Sequence, residues 1–471
     1  MCWMNSKTKL MTHQQTAADK LMPIRLGALF MEMGTGKSRT VIEMVLRRQK
    51  RLDLAAWFCP VSLKETVRRE ILKHTDTPPE QINVFDDKTA SSTLPKCFWH
   101  VVGIESIAGS TRIALAVKAL LTENSMAIVD ESSYIKGHRA LRTQRLTAFA
   151  EKCRYRVLLT GTPISQGVVD LFAQMRFLSP KILGYRSFYS FAANHLEYSD
   201  KYPGMIVKSH NQAYIAAKIQ PYVFQVTKKE CLDLPPKTYK SRFFSMTVTQ
   251  RDLYEEAKQR TFESMEDDEL DSYAIFRLFG ALQQIVSGYW NDIELQTRHE
   301  VYSPRLAMLL DTVADLPPDE KIIIWAKFEY DIMEIQSSLA AKYGPESVAL
   351  FYGKLNEAQR TASVDRFCNG ARFFVATQSC GGHGLTLVQA RYVIFYNNEF
   401  KYATRLQAED RCHRIGQERD VHYIDLVCAN SIDERIMSAL SAKGDAVRQF
   451  KGEIDKVKHK KTDIKKLIEG L

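Results

Sequence analysis

Two arginines three residues apart, Arg411 and Arg414, stand in the stretch QAEDRCHRIGQ, residues 407–417. A guanidinium is a fork of charged donors suited to the oxygens of a phosphate. The same stretch sets Cys412 beside His413, a pairing that suggests metal. Neighbours in a helix-compatible run point about 100° apart. The nine cysteines are scattered and form no CxxC pair, so no second pair supplies the other ligands zinc needs. The Cys-His pair is read as a bystander.

Far upstream, MEMGTGKS (31–38) lies between an apolar run and an amphipathic one. A chain turning through Gly34 and Gly36 can aim backbone N–H groups at a phosphate, and the helix that follows adds its positive end. Lys37 is placed to reach the β- and γ-phosphates and Ser38 to bind Mg²⁺. Met31 occupies the position where the usual pattern has glycine. Thr35 and Arg39 join Gly34, Gly36, Lys37 and Ser38 as candidate nucleotide contacts. In AIVDESS (127–133) an apolar strand ends in two carboxylates: Asp130 as a metal ligand, Glu131 as a base polarising water. In LLTGTP (158–163) another strand runs into a polar turn, where Thr160 and Thr162 can hydrogen-bond to the Asp130–Glu131 strand end.

The elements that must hold these residues alternate in kind. Short β-like runs (LGALFM, AAWFCPV, MAIVDE, YRVLLTGT) are separated by amphipathic ones, and the alternation returns in KIIIWAK, ARFFVATQ, RYVIFYN and VHYIDLV. This pattern predicts parallel sheets covered by helices, in two α/β domains. Residues 171–300 read mainly as helix, with a boundary at CLDLPPK (231–237). The expected divisions are 1–170, 171–235, 236–300 and 301–471. The acidic run ESMEDDELD (263–271) reads as a solvated helix or loop. The basic run at the C-terminus reads as a helix, either a solvated face or a nucleic-acid contact.

The 471 residues are 45% hydrophobic and 25% charged, an ordinary globular composition, and the length predicts more than one core. A net charge of +10 permits a polyanionic partner. The cysteine pattern fits a reducing compartment, and no signal peptide or membrane span is read, which predicts a cytoplasmic protein of a bacterial or phage-infected cell.

Taken in order, these motifs resemble the Swi/Snf family of helicase superfamily two. The likeness extends through LMTHQQ, WFCPVSLKETVRRE, VVGIESI, VDESSYIKG, RVLLTGTPISQG, the segment 227–254, FFVATQSCGGHGLTLVQA and the HRIGQ block. It implies two tandem RecA-like parallel-sheet lobes with a helical insertion between them, closing on one ATP with Mg²⁺ held by Ser38 and Asp130. It implies Gln14 against adenine. One of Arg411 and Arg414 would be an arginine finger; which one stays open. Ser133, Thr160, Gly161, Thr162 and Gln407 would couple the nucleotide to movement. Pro60 and Glu105 in the first lobe, with Thr377 and the turn containing Gly382, His383 and Gly384 in the second, would face DNA. His383 either touches phosphate or is only a turn residue. Three positions depart from the family: Ser133 replaces the histidine of the DEAH box, Thr386 an asparagine, and Gln225 an arginine. The implied activity is a DNA-dependent ATPase moving on duplex or branched DNA, by analogy a compact branch-migrating enzyme, monomeric and without a membrane partner. The alternatives are a strand-separating helicase on DNA or, less favoured, RNA, and a nucleotide-dependent clamp with little turnover.

Overall fold

The computed structural model describes residues 3–164, 167–198, 206–263, 272–292, 296–381, 385–447, 449–450, 453 and 461–471. The chain divides into two compact units, Met1–Asp233 and Leu234–Leu471. The division falls inside CLDLPPK, where two prolines bar regular structure.

In the first unit the strands are β1 (Leu26–Met31), β2 (Leu54–Cys59), β3 (Ile82–Val84), β4 (Trp99–Gly103), β5 (Ser125–Asp130), β6 (Tyr155–Leu159), β7 (Leu196–Tyr198), β8 (Ile206–Ser209) and β9 (Val223–Val226). Seven of them form one sheet in the order β3-β4-β2-β5-β6-β1-β9. All its pairings are parallel. Every residue of β2 and β5 is buried, because helices cover both faces. The two faces feed separate cores by strict alternation: Ala28, Phe30, Ala56 and Phe58 on one side, Leu29, Met31, Ala55 and Trp57 on the other.

The second unit repeats the design. Its strands are β10 (Lys237–Phe244), β11 (Tyr289–Asp292), β12 (Thr297–Glu300), β13 (Ile322–Ala326), β14 (Val348–Phe351), β15 (Phe373–Thr377), β16 (Tyr392–Phe395) and β17 (Val421–Cys428). The order β10-β17-β16-β13-β15-β14 is again all parallel. Ile323 and Trp325 pack to one side of β13, Ile322 and Ile324 to the other.

Residues 171–300 are less uniformly helical than the sequence suggests. Strand β9 closes one edge of the first sheet beside β1, β10 is an edge of the second, and β7–β8 and β11–β12 are antiparallel hairpins. The basic C-terminal run is also more than a solvated face. Helix Lys461–Glu469 buries Ile464 and Ile468 in a helical core with Tyr254 and Phe279, while Lys465 and Lys466 stay exposed. Tyr254 Oη donates to Leu471 O at 3.0 Å, and Lys258 Nζ to Glu469 O at 2.7 Å. Among the described residues, no helix is long and apolar enough to cross a membrane.

Behind β13 and β16 sits a buried polar cluster. Arg305, wholly buried, pairs with Asp433 and donates to Tyr396 O. Asp331 accepts from Asn397 Nδ2 at 2.6 Å through one oxygen, and its other oxygen is buried without a hydrogen-bond partner. Burial pushes Asp331 up to about 7, against the pull of the Asn397 bond and the Arg305 charge. The folded state therefore holds this proton more tightly than the unfolded chain, and stability falls as pH rises from about 4 to about 7. Asp331→Asn is expected to unfold at higher urea than the parent at pH 8, by on the order of 1–3 kcal/mol, and to lose that advantage near pH 4. Equal urea midpoints of the two proteins at pH 8 would contradict this.

Candidate active site and nucleic-acid interface

The loop after β1 turns through left-handed Gly34 (φ 76°) and Gly36 (φ 85°) into helix Lys37–Arg48. A side chain at Gly36 is barred twice, by its φ and by Gln14, whose Nε2 lies 2.1 Å from where a Cβ would sit. Gln14 is buried against this loop. Its amide donates to Thr35 O at 3.2 Å and its carbonyl accepts from Met11 N, while His13 Nε2 donates to the same Thr35 oxygen at 2.8 Å. Lys37 Nζ rests on the loop's carbonyls, Met31 O at 3.0 Å and Glu32 O at 3.4 Å. Ser38 is half-buried at the first turn. Arg39 is placed differently from its neighbours: its guanidinium is committed to Glu43, Ser6 and Thr8, fastening the N-terminal segment to the helix.

Asp130 ends β5. Its Oδ2 accepts from Trp57 Nε1 at 3.3 Å and its Oδ1 from Glu131 N at 3.0 Å. Burial and the Glu131 charge raise it to about 6, with Lys37 pulling the other way. Glu131 holds a left-handed backbone (φ 50°), uncommon for a residue with a side chain, and its Oε2 is buried with no hydrogen-bond partner. The hydrogen bonds expected from Thr160 and Thr162 to this strand end are not made. Thr160 Oγ1 instead accepts from Thr162 N at 3.1 Å. The connection between the two motifs runs through Gln174 on helix Val169–Leu178: Ser132 Oγ donates to Gln174 Oε1 at 2.7 Å, and Gln174 Nε2 donates to Pro163 O at 2.8 Å. Sequence reading missed Gln174 because one buried amide in an apolar helix gives no local signal. Ser133, next to Ser132 in the turn Ser132–Ile135, takes no part in this chain. Gly161 lets the second motif approach the phosphate loop, since a Cβ there would lie 3.2 Å from Met33 N.

On the same sheet edge Pro60 and Glu105 come together: Glu105 Oε2 accepts from Val61 N at 3.0 Å. Thr377, ending β15 in the second unit, is buried with its hydroxyl unpartnered. Gly382, His383 and Gly384 lie outside the described residues.

The arginine stretch is helical only in part. Helix Tyr402–Glu409 stops before Arg411, and the rest is a chain of turns closed by Gly416 (φ 98°) and Gln417. Gln417 Nε2 donates to Ala390 O at 2.9 Å and Val388 O at 3.1 Å. Arg411, buried, donates to Gln407 O at 2.9 Å and Leu385 O at 3.3 Å; Arg414, half-buried, donates to the same Leu385 oxygen at 2.9 Å. Cys412 is buried with its thiol near Tyr423 Oη and Glu409 O, and His413 Nε2 donates to Pro235 O at 2.9 Å.

A model of the SNF2-related domain matches residues 3–288, and one of the helicase conserved C-terminal domain matches residues 305–416. An uncharacterized ATP-dependent helicase of Mycoplasma pneumoniae is 24% identical over 326 residues, 68% of this chain and 30% of the relative. A chromodomain-helicase-DNA-binding protein 1-like of Danio rerio is 23% identical over 427 residues, 88% of this chain and 40% of the relative. A putative ATP-dependent helicase/translocase of Bacillus subtilis is 26% identical over 337 residues, 69% and 35% of the two chains. The chain thus spans less than half the length of these relatives. Among solved structures, the Hef helicase domain of Pyrococcus furiosus superposes with a TM-score of 0.53 at 12% identity, covering 91% of this chain and 97% of that one. The SWI2/SNF2 ATPase core of Sulfolobus solfataricus in complex with dsDNA gives 0.44 at 22% identity, covering 100% and 96%.

The geometry of the loop makes a direct prediction. Gly36→Ala is expected to lower the thermal midpoint and weaken binding of a fluorescent ATP analogue, through about 1 kcal/mol of left-handed strain plus displacement of Gln14. Truncating Gln14 to Ala in the same chain should recover the part of the lost stability due to the clash. No recovery in the double variant would mean that strain alone is responsible.

Proposed function

The chain belongs to the SNF2-related family and carries that family's ATP-hydrolase core, and from this premise we propose that it couples ATP hydrolysis to movement along duplex DNA, held without regard to sequence. The loop Gly34–Ser38 receives the phosphates on its backbone N–H groups, and Lys37 Nζ exchanges the Met31 and Glu32 carbonyls for phosphate oxygens. Mg²⁺ fits the donors present: the Asp130 carboxylate and Ser38 hydroxyl are hard oxygens that leave room for water and phosphate. When bound it neutralises phosphate charge. Glu131, with an unpartnered buried oxygen, orients the attacking water.

Arg414 is assigned as the finger. It is half-buried, whereas Arg411 is buried. A guanidinium placed where charge spreads over the phosphoryl oxygens stabilises the transition state. Pro60 and Glu105 in the first unit, and Thr377 with the segment 381–384 in the second, each serve a DNA strand through phosphate contacts that position without specifying. The names of the Danio rerio and Bacillus subtilis relatives, a DNA-binding helicase and a helicase/translocase, support this reading.

One observation carries the coupling. Arg411 and Arg414 both donate to the carbonyl of Leu385, which follows the GGHG segment in sequence. A strand that displaces Leu385 therefore shifts the carbonyl on which both arginines rest.

ATP hydrolysis should be followed with single-stranded, duplex, forked, four-way-junction and RNA substrates. Stimulation of about tenfold or more by duplex-containing DNA is expected, falling as salt rises. A preference for forks or junctions over plain duplex would favour branch-point movement. Lys37→Ala should be inactive, and Arg414→Ala should lose on the order of 10³-fold in hydrolysis while still binding ATP. No stimulation by any DNA would sink the translocase reading, and full hydrolysis by Arg414→Ala would sink the finger assignment.

A further inference from the structure

The residues just past the unit division, Pro235 to Tyr239, are fastened to the arginine turn at two points. His413, between the two arginines, donates from Nε2 to Pro235 O at 2.9 Å. Glu409, the last residue of helix Tyr402–Glu409, accepts from Tyr239 Oη at 2.8 Å and from Lys237 Nζ at 3.3 Å. At each fastening the residue on the arginine side is buried, Glu409 6% and His413 7% exposed, while Tyr239 on the strut side is exposed. The Glu409 carboxylate also takes Arg405 Nε at 2.9 Å, and Arg405 pairs in turn with Asp425 of β17. Two cations and two anions thus form a neutral group, of which Arg405, Glu409 and Asp425 are buried and Lys237 is half-buried.

The segment is stiff. Two successive prolines fix φ, and Val421 N donates to Pro236 O at 3.0 Å, continuing the ladder that joins β10 to β17. Tyr239 also stacks on Tyr423, with ring centres 5.2 Å apart, and Tyr423 Oη donates to Glu409 O at 3.0 Å. A stiff segment fastened to a buried carboxylate transmits a displacement where a loose one would absorb it.

We propose that Pro235–Tyr239 is a strut that sets the position of Arg411 and Arg414, with Glu409 and His413 as the positioning residues at its two attachments. A displacement of the chain as it enters the second unit is then delivered to the arginines, in addition to any delivered through Leu385. This inference rests on the reading that the arginines serve ATP hydrolysis.

The test uses the full chain and ATP hydrolysis with saturating duplex DNA. Tyr239→Phe and His413→Phe each remove one donor and keep the ring. Together they are expected to lower kcat about tenfold and to move KM for ATP by less than about twofold, as misplacement of a group acting in the transition state should. His413→Gln, whose amide can still donate to Pro235 O, should recover most of the loss due to His413→Phe. In an Arg411→Ala/Arg414→Ala background, followed in single turnover, the double Phe variant should change the rate by less than about twofold, because a residue acting only through the arginines has nothing left to position. The strut is overturned if the Phe variants keep full kcat, if their loss is the same with and without the arginines, or if the loss follows a fall in thermal midpoint and His413→Gln restores nothing. Unchanged hydrolysis in the double arginine variant is a different result: it removes the arginines from the chemistry, and the strut falls with them.

Discussion

A parallel sheet sends every strand's carboxyl end to one edge, and the chemistry of the first unit depends on that constraint. Five loops, after β1, β2, β4, β5 and β6, open there. Residues far apart in sequence become neighbours with no motif linking them directly. The loop after β1 and the Thr160–Pro163 turn approach so closely that a Cβ at Gly161 would crowd Met33, and Val61 N finds the Glu105 carboxylate. Strand order sets which loops are adjacent: β1 lies directly between β6 and β9, with β5 beyond β6.

The second unit has the same sheet logic but positions its arginines differently. They stand in turns between helix Tyr402–Glu409 and β17, held by backbone carbonyls and by a buried charged group. Such a group is a poor source of stability, since apolar side chains of similar volume often do as well. What it supplies is a fixed geometry. Removing one partner strands a desolvated charge, so Arg405, Glu409 and Asp425 hold one arrangement or lose much of its stabilisation.

Much of this fold was legible because strands buried on both faces spell continuous apolar runs. LGALFM, MAIVDE, KIIIWAK and VHYIDLV all mark sheet strands. Short strands in polar surroundings, such as β9 and the two hairpins, carry no such signal and were absorbed into an expected helical region. The site was legible where one segment holds all its parts, as in MEMGTGKS. It was not legible where the partner is remote: Gln174 lies 42 residues from Ser132, and Pro235 lies 178 from His413. His413 carries no metal-site spacing in the sequence, and what it does in the fold is donate to a carbonyl, which any ring N–H can do and no spacing announces. The polar character of 407–417 suggested a continuous helix, but Gly416 and the buried amide of Gln417 favour turns.

The places where the chain breaks local rules also fall together. Gly34 and Gly36 take left-handed backbone in the loop that is to hold phosphate, Glu131 takes it with a full side chain, and Asp130 is a carboxylate buried beside a second carboxylate. Glycine takes that backbone freely, but the Glu131 backbone and the buried Asp130 carboxylate each cost on the order of 1 kcal/mol or more relative to an unstrained alternative. Among the described residues, the other left-handed side chains are two asparagines, which tolerate that region, with Gln296 and Lys443. A folded chain keeps such costs where the surrounding sheet over-determines them. Here the sheet edge does so: Trp57 Nε1 and Glu131 N donate to the two oxygens of Asp130, and Gln14 closes over Gly36. The strain at Glu131 aims a carboxylate oxygen at a buried position where no protein donor meets it, which is the arrangement a residue needs if its partner is to be a reacting water.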